Sequence, residues 1–165
     1  ELSIGYYEVE RRTGRLSGAP TVPPVPGIGR ILGTPQNYTD HIDGSDEFLQ
    51  ATFPIASSDY SSEDKGTFAT IDPNTEFALT LQVIRLTQRA QVNGDIDRAV
   101  GVVDEEFFDG VPVPILGISN LKGYTNSGDS RGMLVKDDHW TTTAHEIGHT
   151  YGLYTDEERY NLGGK

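Results

Sequence analysis

The run Thr141–Leu153, which reads Thr-Thr-Thr-Ala-His-Glu-Ile-Gly-His-Thr-Tyr-Gly-Leu, constrains the folding of this chain more than any other stretch. On an α-helix, residues four apart lie about 40° from one another on one face. His145 and His149 therefore share a face, with Glu146 beside it. Trp140, Ala144, Ile147 and Tyr151 recur at i, i+4, i+7 and i+11, which predicts a packed side opposite the histidines. Asp137 and Asp138 stand just upstream, where carboxylates can cap exposed N–H groups, so the helix is expected to begin near His139. Gly148 is a poor helix former, and its presence predicts close approach by another backbone. Gly152 suits a left-handed turn that ends the helix.

Two imidazoles on one helical face can present nitrogens to a single metal ion, and zinc is the ion that this donor set suits best. Glu146 is placed to accept a proton from a metal-bound water as it attacks a peptide carbonyl, and to pass it on to the leaving amine. The ordinary alternative is that His145 and His149 merely occupy a solvated helix face. The remaining histidines, His41 and His139, lack this context and are expected at the surface.

The chain has 165 residues, the size of one domain with its own core, and no cysteine, which excludes a disulfide framework, a thiolate metal site and a cysteine nucleophile. Its 13 basic and 25 acidic residues give a net charge of −12, which disfavours nucleic acid and anionic lipid as partners, and no apolar run is long enough for a membrane span. Acidic positions such as Asp137, Asp138, Asp156, Glu157 and Glu158 make calcium a lesser second candidate; solvation is their commoner role.

Residues 1–47 are punctuated by Gly and Pro and read as an arm or linker, with a strand candidate at Ser3–Glu10 and extended geometry over Thr21–Pro26. Asn37-Tyr38-Thr39 matches a glycosylation sequon. Residues 48–165 read as the folded region. Phe48–Ala56 is the expected first core strand. Asp72-Pro73 opens a helix in which Phe77, Leu81, Ile84 and Leu86 set the apolar spacing and Asn93-Gly94 the stop. Ala99–Val103, Ile115–Leu121 and Gly132–Val135 are strand candidates. This order predicts an α/β (α+β) fold, with helices packed on a twisted mixed sheet.

The stretch Ala144–Leu153 resembles the active-site helix of the metzincin clan of zinc peptidases, whose members share His-Glu-x-x-His-x-x-Gly-x-x-His. The resemblance extends more weakly over Phe48–Leu153, through Phe107-Phe108-x-Gly110 and Gly117-Ile118-Ser119. It implies a zincin-like sheet with a backing helix and an active-site helix. It also implies that the strand near Ile115–Leu121 is the edge along which an extended polypeptide substrate lies. The sequence departs from the clan in two places. The third-ligand position is Thr155, so Asp156 is the nearest substitute, with Glu157, Glu158 or no protein ligand as alternatives. The only methionine is Met133, so no methionine turn follows the helix, and the chain is expected to omit a C-terminal subdomain.

The resemblance thus implies a secreted zinc endopeptidase with His145 and His149 as ligands and Glu146 as general base. The competing expectation is a non-catalytic or truncated metal-binding domain with a degenerate site and an interaction role. Thr155 favours the latter.

Overall fold

A computed structural model of the chain describes residues 1–12, 31–71, 76–109, 115–119, 131–151 and 153. The strands are β1 (Leu2–Arg12), β2 (Ile31–Gly33), β3 (Tyr60–Ile71), β4 (Arg98–Val103), β5 (Gly117–Ser119) and β6 (Gly132–Lys136). The helices are α1 (Tyr38–Thr52), α2 (Glu76–Asn93) and α3 (Trp140–Thr150). From α2 onward the order helix, three strands, helix follows the sequence expectation, whereas β3 lies beyond the expected first strand, Phe48–Ala56, and was not anticipated; the class is mixed α+β.

β1 pairs in parallel with β3 along almost its whole length and with β4 over Ile4–Glu8. β6 extends the sheet in parallel beyond β4, and β5 closes it in antiparallel orientation. Because β3 occupies one edge of β1 at Arg11 and Arg12, the short antiparallel β2 must pair with the other edge, past the end of β4.

β1 is buried on both faces, as expected of a strand inside a largely parallel sheet. Tyr7 and Val9 join Ala99, Val103 and Leu134 beneath Leu79, Val83, Leu86 and Ala90 of α2. Leu2, Ile4 and Tyr6 join Val100, Val102, Met133 and Val135 beneath Leu49 of α1 and Ala144 and Ile147 of α3. The period-2 alternation of β1, β4 and β6 thus feeds two cores, one under α2 and one under the α1–α3 pair. Each aliphatic side chain fully buried there contributes roughly 1.5–3 kcal/mol of transfer free energy.

Several expectations need correction. The strand candidate Ser3–Glu10 is β1, but it lies inside the sheet and is not part of an arm. Phe48–Ala56 is not a strand: residues 48–52 complete α1, so the boundary placed before Phe48 falls within a helix. The helical period was hidden because the buried stripe of α1 is His41, Ser45 and Leu49, two polar residues and one apolar. In α2 the buried stripe is Leu79, Val83, Leu86 and Ala90, rotated from the one expected, with Leu81 and Ile84 only partly buried. Gly94, at φ +64°, ends α2 as Asn93-Gly94 indicated, its N–H donating to Ala90 O at 3.2 Å. The Asp72-Pro73 start and the Thr21–Pro26 segment lie outside the described residues.

α2 sits directly on Gly132. A Cβ at that position would lie 2.4 Å from Val83 O and 2.6 Å from Thr87 N, both backbone atoms of the helix. Gly132→Ala is therefore expected to lift α2 off the sheet and cost about 1–3 kcal/mol, read as a lower midpoint in urea denaturation. An unchanged midpoint would show that the helix rests elsewhere.

Candidate metal centre

α3 starts after the N-cap residue His139, and its buried side consists of Thr143, Ala144, Glu146, Ile147 and Gly148. Trp140 and Tyr151, expected in the packed stripe, are 43% and 54% exposed. They stand at the two ends of the helix, where neighbours cover only part of each ring. Trp140 lies over Gly44 of α1, where an added Cβ would come within 3.0 Å of the indole. Arg98 stacks over Tyr151 with its guanidinium carbon 4.5 Å from the ring centre, and its Nε donates to Thr150 Oγ1 at 2.8 Å.

Asp137 and Asp138 do not cap α3. Asp137 is buried and its Oδ2 accepts the Asn37 N–H at 2.7 Å, while Asp138, in left-handed backbone at φ +59°, accepts from Asn37 Nδ2 at 2.9 Å. Both carboxylates thus secure the start of α1 instead. Among the described residues no other backbone comes close to where a Cβ on Gly148 would stand: the nearest atoms there belong to the Leu153 side chain, at an ordinary 3.8 Å. Gly152 lies outside the described residues.

The structure brings His145, Glu146 and His149 together, with one ligand atom from each lying within 4.8 Å of the others. Among the described residues this is the one group of three such side chains near enough to hold a metal ion. The imidazole rings meet edge to face, with centres 4.3 Å apart. Two metal–nitrogen bonds of about 2.1 Å span at most about 4 Å, so small χ rotations would bring both nitrogens onto one ion.

A second feature fits the group to a metal. His149 Nδ1–H donates to Leu153 O at 2.9 Å, which leaves the acceptor lone pair on Nε2. Ligating histidines are commonly oriented by such a bond to a backbone carbonyl. His149 also occupies the last turn of α3, where the helix dipole favours positive charge. The donor set is therefore suited to a metal ion. Asp156, Glu157 and Glu158, the candidate third ligands, and Thr155 lie outside the described residues.

Glu146 is only 5% exposed. It is covered by β5, where the position of a Cβ on Gly117 falls 2.9 Å from Glu146 Cγ and 3.1 Å from its Oε1. Among the described residues β5 ends the sheet order, so the Ile115–Leu121 candidate does contain an edge strand there, and that strand adjoins the helix carrying the histidines. Sequence reading missed the role of Gly117. The available signal was a lone glycine in an otherwise apolar strand run, a mark of close backbone approach.

His41 was expected at the surface and is instead 1% exposed, packed between α1 and α3. Its Nε2 lies 3.1 Å from Thr143 Oγ1, to which Ser45 Oγ also donates at 3.1 Å, while His41 Nδ1 has no hydrogen-bond partner among the described residues. Burial pushes its pKa down to about 4, against a smaller upward pull from Asp137 and Asp138. His139 lies partly exposed near Glu105, as expected of a surface residue.

A separate concavity of about 300 Å³ lies at the carboxyl ends of β1, β4 and β6 and includes Arg11, Asp104, Glu106, Asp137 and Asp138. Its one arginine is committed to Asp104 through two 3.0 Å bonds and to Glu106 at 2.9 Å. The concavity contains no part of the histidine group. No helix among the described residues is long and apolar enough to cross a membrane.

No protein-family model, curated protein or solved structure matches the chain.

Proposed function

We propose that the protein is a zinc-dependent endopeptidase in which His145 and His149 hold the metal and Glu146 is the general base. The observation that carries this reading is the convergence of two imidazoles and a buried carboxylate on one helix, beside the edge strand of a mixed sheet. His145 and His149 would hold the zinc ion, which when bound would supply Lewis-acid polarisation of a carbonyl and lower the pKa of the attacking water.

The chain's own residues would do the rest. The Leu153 carbonyl holds the His149 ring in its ligating tautomer. Glu146, sheltered from bulk solvent by β5, accepts the proton of the attacking water and returns it to the departing amine. The outer edge of β5 offers backbone groups on which an extended polypeptide can align beside α3. An extracellular setting belongs to the same reading and rests on the resemblance to exported metzincin-like peptidases.

The competing reading is a metal-binding domain without turnover, favoured by Thr155 in the third-ligand position. Zinc stoichiometry measured together with cleavage of an unfolded polypeptide separates the two. The peptidase reading expects one equivalent of zinc, cleavage that disappears on chelation, and recovery when zinc is restored. One equivalent of zinc without cleavage would establish the metal-binding domain. Cleavage indifferent to chelation would remove zinc from the reaction.

A further inference from the structure

β5 contributes more than an edge. In its antiparallel pairing, Gly117 faces Val135 and Ser119 faces Met133, whereas Ile118 faces Leu134. Val135 and Met133 belong to the core beneath α1 and α3, and Leu134 to the core beneath α2. Directly opposed residues share a sheet face, so Gly117 and Ser119 look toward α3 and Ile118 looks away.

At Gly117 the approach to α3 is so close that a side chain fits only if Thr142 or Glu146 shifts. A Cβ there would lie 2.6 Å from Thr142 Cγ2, 2.9 Å from Glu146 Cγ and 3.1 Å from Glu146 Oε1. Thr142 and Glu146 are four apart and form one ridge of the helix, which the bare Cα of Gly117 receives. One wall against the Glu146 side chain is thus the backbone of the strand that ends the sheet.

We infer that Gly117 is a positioning residue for Glu146: its missing side chain sets how far the carboxylate can withdraw toward the sheet, and so where its oxygens stand relative to His145 and His149. This rests on the reading of Glu146 as general base. It also ties the placement of the base to the same short strand whose outer edge would align substrate. A displacement of the carboxylate by even part of an ångström degrades proton transfer while leaving both histidines in place.

The test is Gly117→Ala, examined by two readouts in the parent and in a Glu146→Ala background. In thermal unfolding of the metal-free protein, Gly117→Ala is expected to lower Tm by roughly 5 °C in the parent and by measurably less where the Glu146 side chain has been removed, the contact with the Thr142 methyl remaining in both. In the zinc-loaded protein, kcat is expected to fall on the order of 30-fold, with KM and zinc stoichiometry held, and residual turnover in the Glu146→Ala background is expected not to change further. Equal Tm losses in both backgrounds, or coupling in Tm with an unchanged kcat, would overturn the positioning role while leaving the peptidase reading intact. A parent that binds zinc but cleaves nothing would overturn both. Should Gly117→Ala not fold alone, Gly117→Ala/Thr142→Ser, which removes the nearest methyl, carries the same comparison.

Discussion

Glu146→Gln is expected to keep bound zinc and fold normally while losing peptide hydrolysis by about 10²–10⁴-fold. The amide occupies nearly the same volume as the carboxylate, so the close fit against Gly117 and Thr142 is preserved. The variant therefore isolates proton transfer from packing. An amide cannot accept a proton at neutral pH, and on the proposed mechanism the attacking water then finds no base. The loss should fall on kcat, with KM little changed, since the substrate's backbone would still align along β5. Zinc content by elemental analysis and steady-state cleavage of one peptide provide the check. Turnover equal to the parent's would exclude Glu146 as the base, and loss of zinc along with activity would make it a ligand.

Lowering the pH from about 6.5 to about 4 is expected to remove on the order of 3 kcal/mol of stability through His41. The sign follows from where the proton binds first. Unfolded, His41 has an ordinary pKa near 6.5; folded, its pKa is about 4, lowered chiefly by burial. Between these values the unfolded chain holds a proton that the folded one does not, so stability is complete above the upper value and declines as pH falls toward the lower. The geometry gives a concrete reason for the shift. A neutral ring with its proton on Nε2 donates to Thr143 Oγ1 and leaves only a lone pair at Nδ1, whereas an imidazolium would place a second N–H there with no acceptor among the described residues. Asp137 and Asp138 oppose the shift and His139 adds to it, all at the junction where α1 meets the start of α3. Urea denaturation at a series of pH values, compared with His41→Gln, reads the effect. The parent should show a slope approaching one proton near pH 5 that the variant lacks, and identical slopes would assign the acid sensitivity elsewhere.

Much of the layout was legible in the sequence because it rests on local rules. The alternating or continuous apolar runs of β1, β4 and β6, the glycine that ends α2 and the His-Glu-x-x-His spacing each specify an element or a shared face without reference to the rest of the chain. α1 was not legible. Its buried stripe uses His41 and Ser45, whose burial makes sense only once Thr143 of α3 supplies the hydrogen bonds. Asp137 and Asp138 were misassigned for the same reason. Their nearest backbone in sequence is α3, but tertiary packing brings Asn37 to them from 100 residues away.

For the candidate site, the sequence by itself determined that His145, Glu146 and His149 lie together on a helix, because a period of 3.6 residues leaves positions four apart on one face. Only the tertiary structure decided what surrounds them. It placed β5 across Glu146, so close that a side chain at Gly117 would displace Thr142 or Glu146, and put the α1–α3 core behind the helix. Helical period is a property of consecutive residues. Closeness between Gly117 and Glu146 depends on how a sheet edge and a helix pack, and is written in no single segment of the chain.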